Sequence, residues 1–168
     1  MKKLVCLLIF KVLLANDYDL GFEIFKNIDF TKEPIEYEND LKQVYNLWSK
    51  ACKNKNMQAC YDLGFLYESG IGTKQNYTKA INLYTKACEN NLYEACYVVG
   101  FMNAYGIGTQ QNKKKAIKFY TKSCNHNYAV GCYFLSFLYK DKKAKEYLKK
   151  ACDLGDERAC KSIENLKN

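Results

Sequence analysis

Apolar residues recur along most of this chain with the period of a helix. Tyr61-Asp62-Leu63-Gly64-Phe65-Leu66-Tyr67 sets apolar side chains at i, i+3 and i+4, which gives one buried face. The same segment returns as Tyr97-Val98-Val99-Gly100-Phe101-Met102 and as Tyr133-Phe134-Leu135-Ser136-Phe137-Leu138-Tyr139. These segments are termed helix A, and their small Gly or Ser lets a neighbouring helix approach closely. Gly70-Ile71-Gly72-Thr73 and Gly106-Ile107-Gly108-Thr109 then end two of them, since glycine takes the positive φ of a helix terminus without penalty.

A second amphipathic segment, helix B, follows each time. Residues 79–88 are matched by 115–124, more loosely by 144–152, and by an earlier copy at 44–52. Trp48 takes the slot of Tyr84 and Tyr120 and is expected in the core. Asn91, Asn127 and Gly155 stand three residues after a helix B cysteine, and are residue types that accept the left-handed conformation; Lys55 replaces them in the first copy. Tyr18-Asp19-Leu20-Gly21-Phe22 repeats the helix A signature at the start, and residues 161–168 read as a polar closing helix. The pattern predicts four helix pairs and a cap, with repeats at about 16–52, 57–88, 93–124 and 129–152 and the cap at 156–168 in a single domain. The last interval is eight residues short, and the missing residues are expected to be the glycine loop, replaced by Lys140-Asp141-Lys142-Lys143.

The cysteines add a second periodicity. Eight of the nine form four C-x7-C pairs, Cys52/Cys60, Cys88/Cys96, Cys124/Cys132 and Cys152/Cys160, each straddling the turn from a helix B to the next helix A. Eight cysteines allow 105 pairings. Antiparallel helices joined by a tight turn favour the local set, one disulfide per repeat in an exported protein. Each would close a loop of about nine residues, worth roughly 2–3 kcal/mol in the chain-entropy description. Zinc is disfavoured by the x7 spacing and the single His126, and redox catalysis by the absence of C-x-x-C. No metal and no cofactor is expected.

Charge and composition refine this reading. Residues 1–15 have a basic start, an apolar run interrupted by Lys11 and a small Ala15, and are read as a signal peptide whose removal discards Cys6. No later run is apolar for the roughly 20 residues a membrane helix needs. The net charge of +8 falls to +5 without that segment, too little and too dispersed to argue for nucleic acid. Lys113 to Lys115 and Lys140 to Lys150 read as solvated faces, and His126 as a structural residue at a helix end. One Pro and nine Gly suit helices with short turns, while 15 Tyr and 9 Phe are an unusually large aromatic content.

The pattern A-x3-Y-x-K-A-C-x7-C-x2-L-G-x2-Y followed by G-x-G resembles the Sel-like branch of the tetratricopeptide repeats. Its cysteine pairs resemble the Helicobacter cysteine-rich protein (Hcp) family of exported bacterial proteins. The resemblance covers nearly all of residues 16–168, departing at Val99, at Asn103 and in the deleted loop. It implies an all-α, right-handed α/α solenoid and a secreted or periplasmic protein. It also implies that helix A lines a concave face, with its second, fifth, ninth and twelfth positions toward ligand. That assigns Gln58, Glu94 and Val130 to the second position, Tyr61, Tyr97 and Tyr133 to the fifth, and Phe65, Phe101 and Phe137 to the ninth. Such aromatic ladders suit a peptide, a peptidoglycan fragment or a host or other partner protein; their second reading is packing between consecutive A helices.

The resemblance further implies, as an alternative, a penicillin-binding protein with weak β-lactamase activity, for which a β-lactam would be the ligand. The residues do not supply its usual machinery. Ser49, Ser69, Ser123, Ser136 and Ser162 all lack a lysine three positions on, so no S-x-x-K element exists, and S-D-N and K-T-G are missing too. Catalytic residues stay unknown at this level.

Overall fold

The computed structural model describes residues 16–165, so the expected signal segment lies outside the described residues. Among them the regular structure is entirely helical, in nine helices and no strand. Two compact units divide at Asn76 and Tyr77.

The first unit holds α1 (Asp17–Lys26), α2 (Pro34–Lys53) and α3 (Met57–Ser69). Asn16 caps α1 by accepting from the amides of Tyr18 and Asp19, and Pro34 opens α2 where a missing amide costs nothing. Leu41, Val44, Trp48 and Ala51 of α2 are buried with Ala59, Leu63 and Leu66 of α3. Trp48 is core, as expected, and it explains Gly21. A Cβ there would stand 2.7 Å from the indole nitrogen, so only glycine lets α1 lie on that ring.

The second unit holds α4 (Tyr77–Glu89), α5 (Tyr93–Tyr105), α6 (Lys113–Asn125), α7 (Ala129–Ser136), α8 (Asp141–Asp153) and α9 (Glu157–Asn165). Sequential helices pack on one another, and α5 also touches α7. Gly100 repeats the role of Gly21, because a Cβ would fall 2.5 Å from the Tyr120 ring. Asn103, which replaces the tyrosine of other copies, is buried and donates from Nδ2 to the Val99 carbonyl at 2.8 Å. Lys122 donates to the carbonyl of Cys88 at 2.8 Å and Ser123 Oγ to that of Tyr93 at 2.9 Å, so α6 fastens onto the preceding turn.

Every turn from a B helix to an A helix is built alike. Asn56 N–H bonds the Ala51 carbonyl, Leu92 that of Ala87, Tyr128 that of Ser123 and Asp156 that of Ala151. The preceding residue in each case, Lys55, Asn91, Asn127 or Gly155, has positive φ and bonds the carbonyl of the first cysteine. This is the Schellman arrangement, and its last residue doubles as the flanking residue from which the next helix starts. The cysteines flank it, and all four expected disulfides are present, with Cα separations of 4.6, 4.7, 4.5 and 4.8 Å.

The third helix A departs from expectation. It was expected to run to Tyr139 but ends at Ser136, and amides of Leu138 and Tyr139 close tight bonds to the carbonyls of Leu135 and Ser136. Helix α7 has 8 residues against 13 in α3 and α5, so five of the eight missing residues come from the helix itself. Only three come from the loop. Asp141 to Lys143 do not replace that loop; they begin α8.

Two outcomes follow. Lys55 holds φ 66° without the glycine or asparagine used elsewhere. Lys55→Gly is therefore expected to raise stability by about 1 kcal/mol, read as a higher thermal midpoint. Cys60, Cys88, Cys96, Cys124 and Cys132 are fully buried, and Cys52 nearly so, whereas Cys152 and Cys160 are partly exposed. Mild reduction of the folded protein with thiol alkylation should label Cys152 and Cys160 first; equal labelling of all pairs would contradict this burial order.

Candidate functional site

The nine residues singled out as a binding face fall in both units. In the first, Gln58, Tyr61 and Phe65 lie along α3. Gln58 donates to Asp62 Oδ1 at 3.3 Å, Tyr61 is half-buried and Phe65 is 42% exposed. In the second, Glu94, Tyr97 and Phe101 lie on α5, Val130 and Tyr133 on α7 and Phe137 one residue beyond its end.

The aromatic residues of the second unit form one connected surface, and Phe134 is its hub. Its ring centroid lies 5.2 Å from Tyr97, 5.9 Å from Phe101 and Tyr120, 5.5 Å from Tyr133 and 6.2 Å from Phe137. Tyr133 meets Phe137 edge-on at 4.9 Å, and Phe101 meets Tyr105 at 4.6 Å. These are favourable tilted, stacked and edge-to-face geometries. Tyr97 and Tyr133 thus pack between helices while remaining half open. Phe137 and Tyr105, at 61% and 63% exposure, are the most open rings of the group.

Between them lies a recess of about 240 Å³ lined by Ala104, Tyr105, Tyr120, Phe134, Phe137 and Leu138. It opens where α5 continues for its last turn while α7 has already stopped. The Tyr120 hydroxyl is buried and makes no hydrogen bond to any described residue, and burial, then the nearby Tyr97 and Tyr105, push its pKa well above the usual phenol range. The phenol therefore stays protonated and is a donor. Tyr128, 6.1 Å from Tyr97, is raised by burial and then by Glu94 and Tyr97.

Arg158 of α9 completes the surface. Its guanidinium carbon sits 4.5 Å from the Tyr133 ring centroid and 5.9 Å from that of Phe134. Asp156 holds it there through Nε to Oδ1 at 3.1 Å and Nη2 to Oδ2 at 2.6 Å. The same carboxylate caps α9 by accepting from the Arg158 and Ala159 amides. Asp156 is buried, and its pKa is lowered mainly by the Arg158 hydrogen bond. Arg158 keeps 53% of its side chain in solvent.

Sequence reasoning missed Phe134, Tyr105 and Arg158 as site residues. Phe134 follows the fifth position, where the other copies have Asp62 and Val98, so its aromaticity has no ladder to reveal it. Arg158 did leave a signal. It stands two residues before Cys160, as Gln58, Glu94 and Val130 stand two before their cysteines, and is thus the second position of a further helix A. Among the described residues no cluster of His, Cys, Asp and Glu could hold a metal ion, and no helix is long and apolar enough to cross a membrane.

The Sel1 repeat matches residues 58–92, 94–128 and 129–156, more than half of the chain. The protective antigen c5321 of uropathogenic Escherichia coli, which displays an SLR fold, superposes with a TM-score of 0.77 at 24% identity over 88% of this chain and 32% of its own. A Sel1 repeat protein from Oxalobacter formigenes gives 0.66 at 28% identity over 75% of this chain and 56% of its own. Helicobacter pylori cysteine-rich protein B gives 0.47 at 28% identity over 71% and 68%. This chain thus spans about a third of the first of these proteins and just over half of the second. No curated protein matches the chain.

Asp156→Asn keeps a good helix cap but removes the charge that fixes Arg158. Wild type is expected to be the more stable at neutral pH by less than about 1 kcal/mol, discounted because Arg158 is half in solvent. Since the folded pKa of Asp156 is depressed, this advantage is full above about pH 4, the unfolded aspartate value, and fades as pH falls through the folded value. Urea unfolding of both proteins across pH 2–7 checks it.

Proposed function

Since the chain belongs to the Sel1 repeat family, we propose that it is an exported binding protein that holds an extended polypeptide against the aromatic surface of α5 and α7. The observation carrying this reading is the open recess beneath Phe137 and Tyr105, continuous through Phe134 with Tyr97, Phe101 and Tyr133. Large rings held by their neighbours give contact area at small entropic cost. The recess suits a single apolar side chain, and the rings around it suit the flanking backbone and side chains. Gln58, Tyr61 and Phe65 in the first unit, and Glu94 beside Tyr128 in the second, are secondary candidates for polar and aromatic contacts.

Four local disulfides fit an oxidising, non-cytoplasmic compartment, either the periplasm or the medium. A protein partner is the broad class; a free peptide or a cell-wall peptide is a narrower member of it. Binding, unlike β-lactam hydrolysis, needs no nucleophile, and it uses the features that distinguish this surface from an ordinary helix face.

Selection of peptides from a random displayed library on the oxidised protein tests the proposal. Selected peptides are expected to lose about tenfold in affinity, roughly 1.4 kcal/mol, on Phe137→Ala and on Tyr133→Ala. Their affinity should be unaffected by Leu20→Ala on α1. Peptides indifferent to Phe137 and Tyr133 would remove this surface as the binding face.

A further inference from the structure

Resting on the polypeptide-binding reading, we infer that the partner segment is acidic and carries an apolar side chain flanked by carboxylates, the side chain entering the recess and a carboxylate pairing with Arg158. Three independent observations converge on this class.

The first is the state of Arg158. Its pairing with the buried Asp156 uses Nε and Nη2, leaving the rest of the planar fork directed elsewhere while the side chain stays 53% exposed. An arginine fixed in this way has already lost the rotamer freedom that a free surface arginine would lose on binding, so a carboxylate meets a pre-oriented donor. Stacking on Tyr133 and proximity to Phe134 place that donor beside the rings that lead to the recess.

The second is the recess. All six of its lining residues are apolar or aromatic, Tyr105 and Tyr120 carrying the two phenols, and Phe134 is shared between its wall and the Arg158 contact. One side chain in the recess and one carboxylate on Arg158 would therefore both border the Phe134 ring, a placement open to nearby residues of one peptide.

The third is charge. Residues 77–165 carry 15 Lys and Arg against 8 Asp and Glu, whereas residues 16–76 carry 7 against 10. The unit that holds the aromatic surface is thus strongly basic, and the other unit is mildly acidic. A basic field speeds encounter with an acidic chain and disfavours a basic one, while the rings supply the affinity that dispersed lysines do not.

Three fluorescein-labelled probes test the inference on the oxidised full-length protein: Gly-Glu-Glu-Phe-Glu-Glu-Gly, its Gln-for-Glu analogue, and its Ser-for-Phe analogue. Fluorescence anisotropy at low salt is expected to show the first binding at least tenfold tighter than either analogue. Its advantage over the Gln analogue should shrink severalfold in 0.5 M salt. Arg158→Gln should bring the first probe close to the Gln analogue, Phe137→Ala should bring it close to the Ser analogue, and Lys113→Gln with Lys114→Gln should do neither. The wild-type comparison of the three probes decides the matter even if Arg158→Gln misfolds. Equal binding of the acidic and Gln probes would overturn the inference while leaving a neutral polypeptide site intact. Equal binding of the Phe and Ser probes would reduce the surface to a nonspecific polyanion site, and no binding of any probe would also overturn it. Library peptides that depend on Phe137 but lack acidic residues would separate this failure from failure of the polypeptide reading.

Discussion

The structure depends on one tight turn, used four times. In each, a left-handed residue ends one helix and the next residue already flanks the start of another, so two antiparallel helices are joined with almost no slack. A turn this short fixes the angle between the helices but leaves them little of their own to hold it. The disulfide across its base closes the gap from C2 of the outgoing helix to the fourth position of the incoming one. Repeat arrays draw their stability from nearest neighbours, so a staple at every such joint acts where cooperativity is weakest.

With those joints fixed, the aromatic surface follows from helix geometry. Positions one turn apart on a helix A look the same way, and the small residue at Gly100 lets Tyr120 lie flat against α5. Tyr97 then meets Tyr120 and Phe134, and the row of rings becomes a sheet of side chains spanning helices. Asp156 extends the arrangement to α9. One buried carboxylate caps that helix and aims an arginine at Tyr133, so a structural residue and a surface charge are set by the same interaction.

What was legible in the sequence was what is local. The cysteine spacing rests on contacts within two turns of chain, the repeated A and B signatures and Trp48 in its tyrosine slot were visible by their register along the chain, and all stand in the structure. The end of α7 was not legible, because Phe137, Leu138 and Tyr139 continue the apolar period past the point where the helix stops and no glycine marks the break. The left-handed Lys55 was marked only by its alignment with Asn91, Asn127 and Gly155, since its side chain gives no hint of positive φ. Of the candidate site, the fifth and ninth positions were visible as ladders. Tyr105 was hidden because its importance comes from a neighbouring helix being short, Phe134 because no other copy has an aromatic at its position, and Arg158 because the last helix was read as a cap.

The shortened α7 shows how an array can acquire a feature by subtraction. Its five lost helical residues leave the upstream helix A unaltered in length, yet they strip that helix of a neighbour along its final turn. Side chains that elsewhere would be flank become floor. Within a fused globular core such a loss would propagate through every layer, but here its effects stay between two adjacent repeats. Copy number and copy length are then separate variables, the first extending the scaffold and the second sculpting it, and a single trimmed copy is enough to make one position along an otherwise repetitive surface unlike all the others.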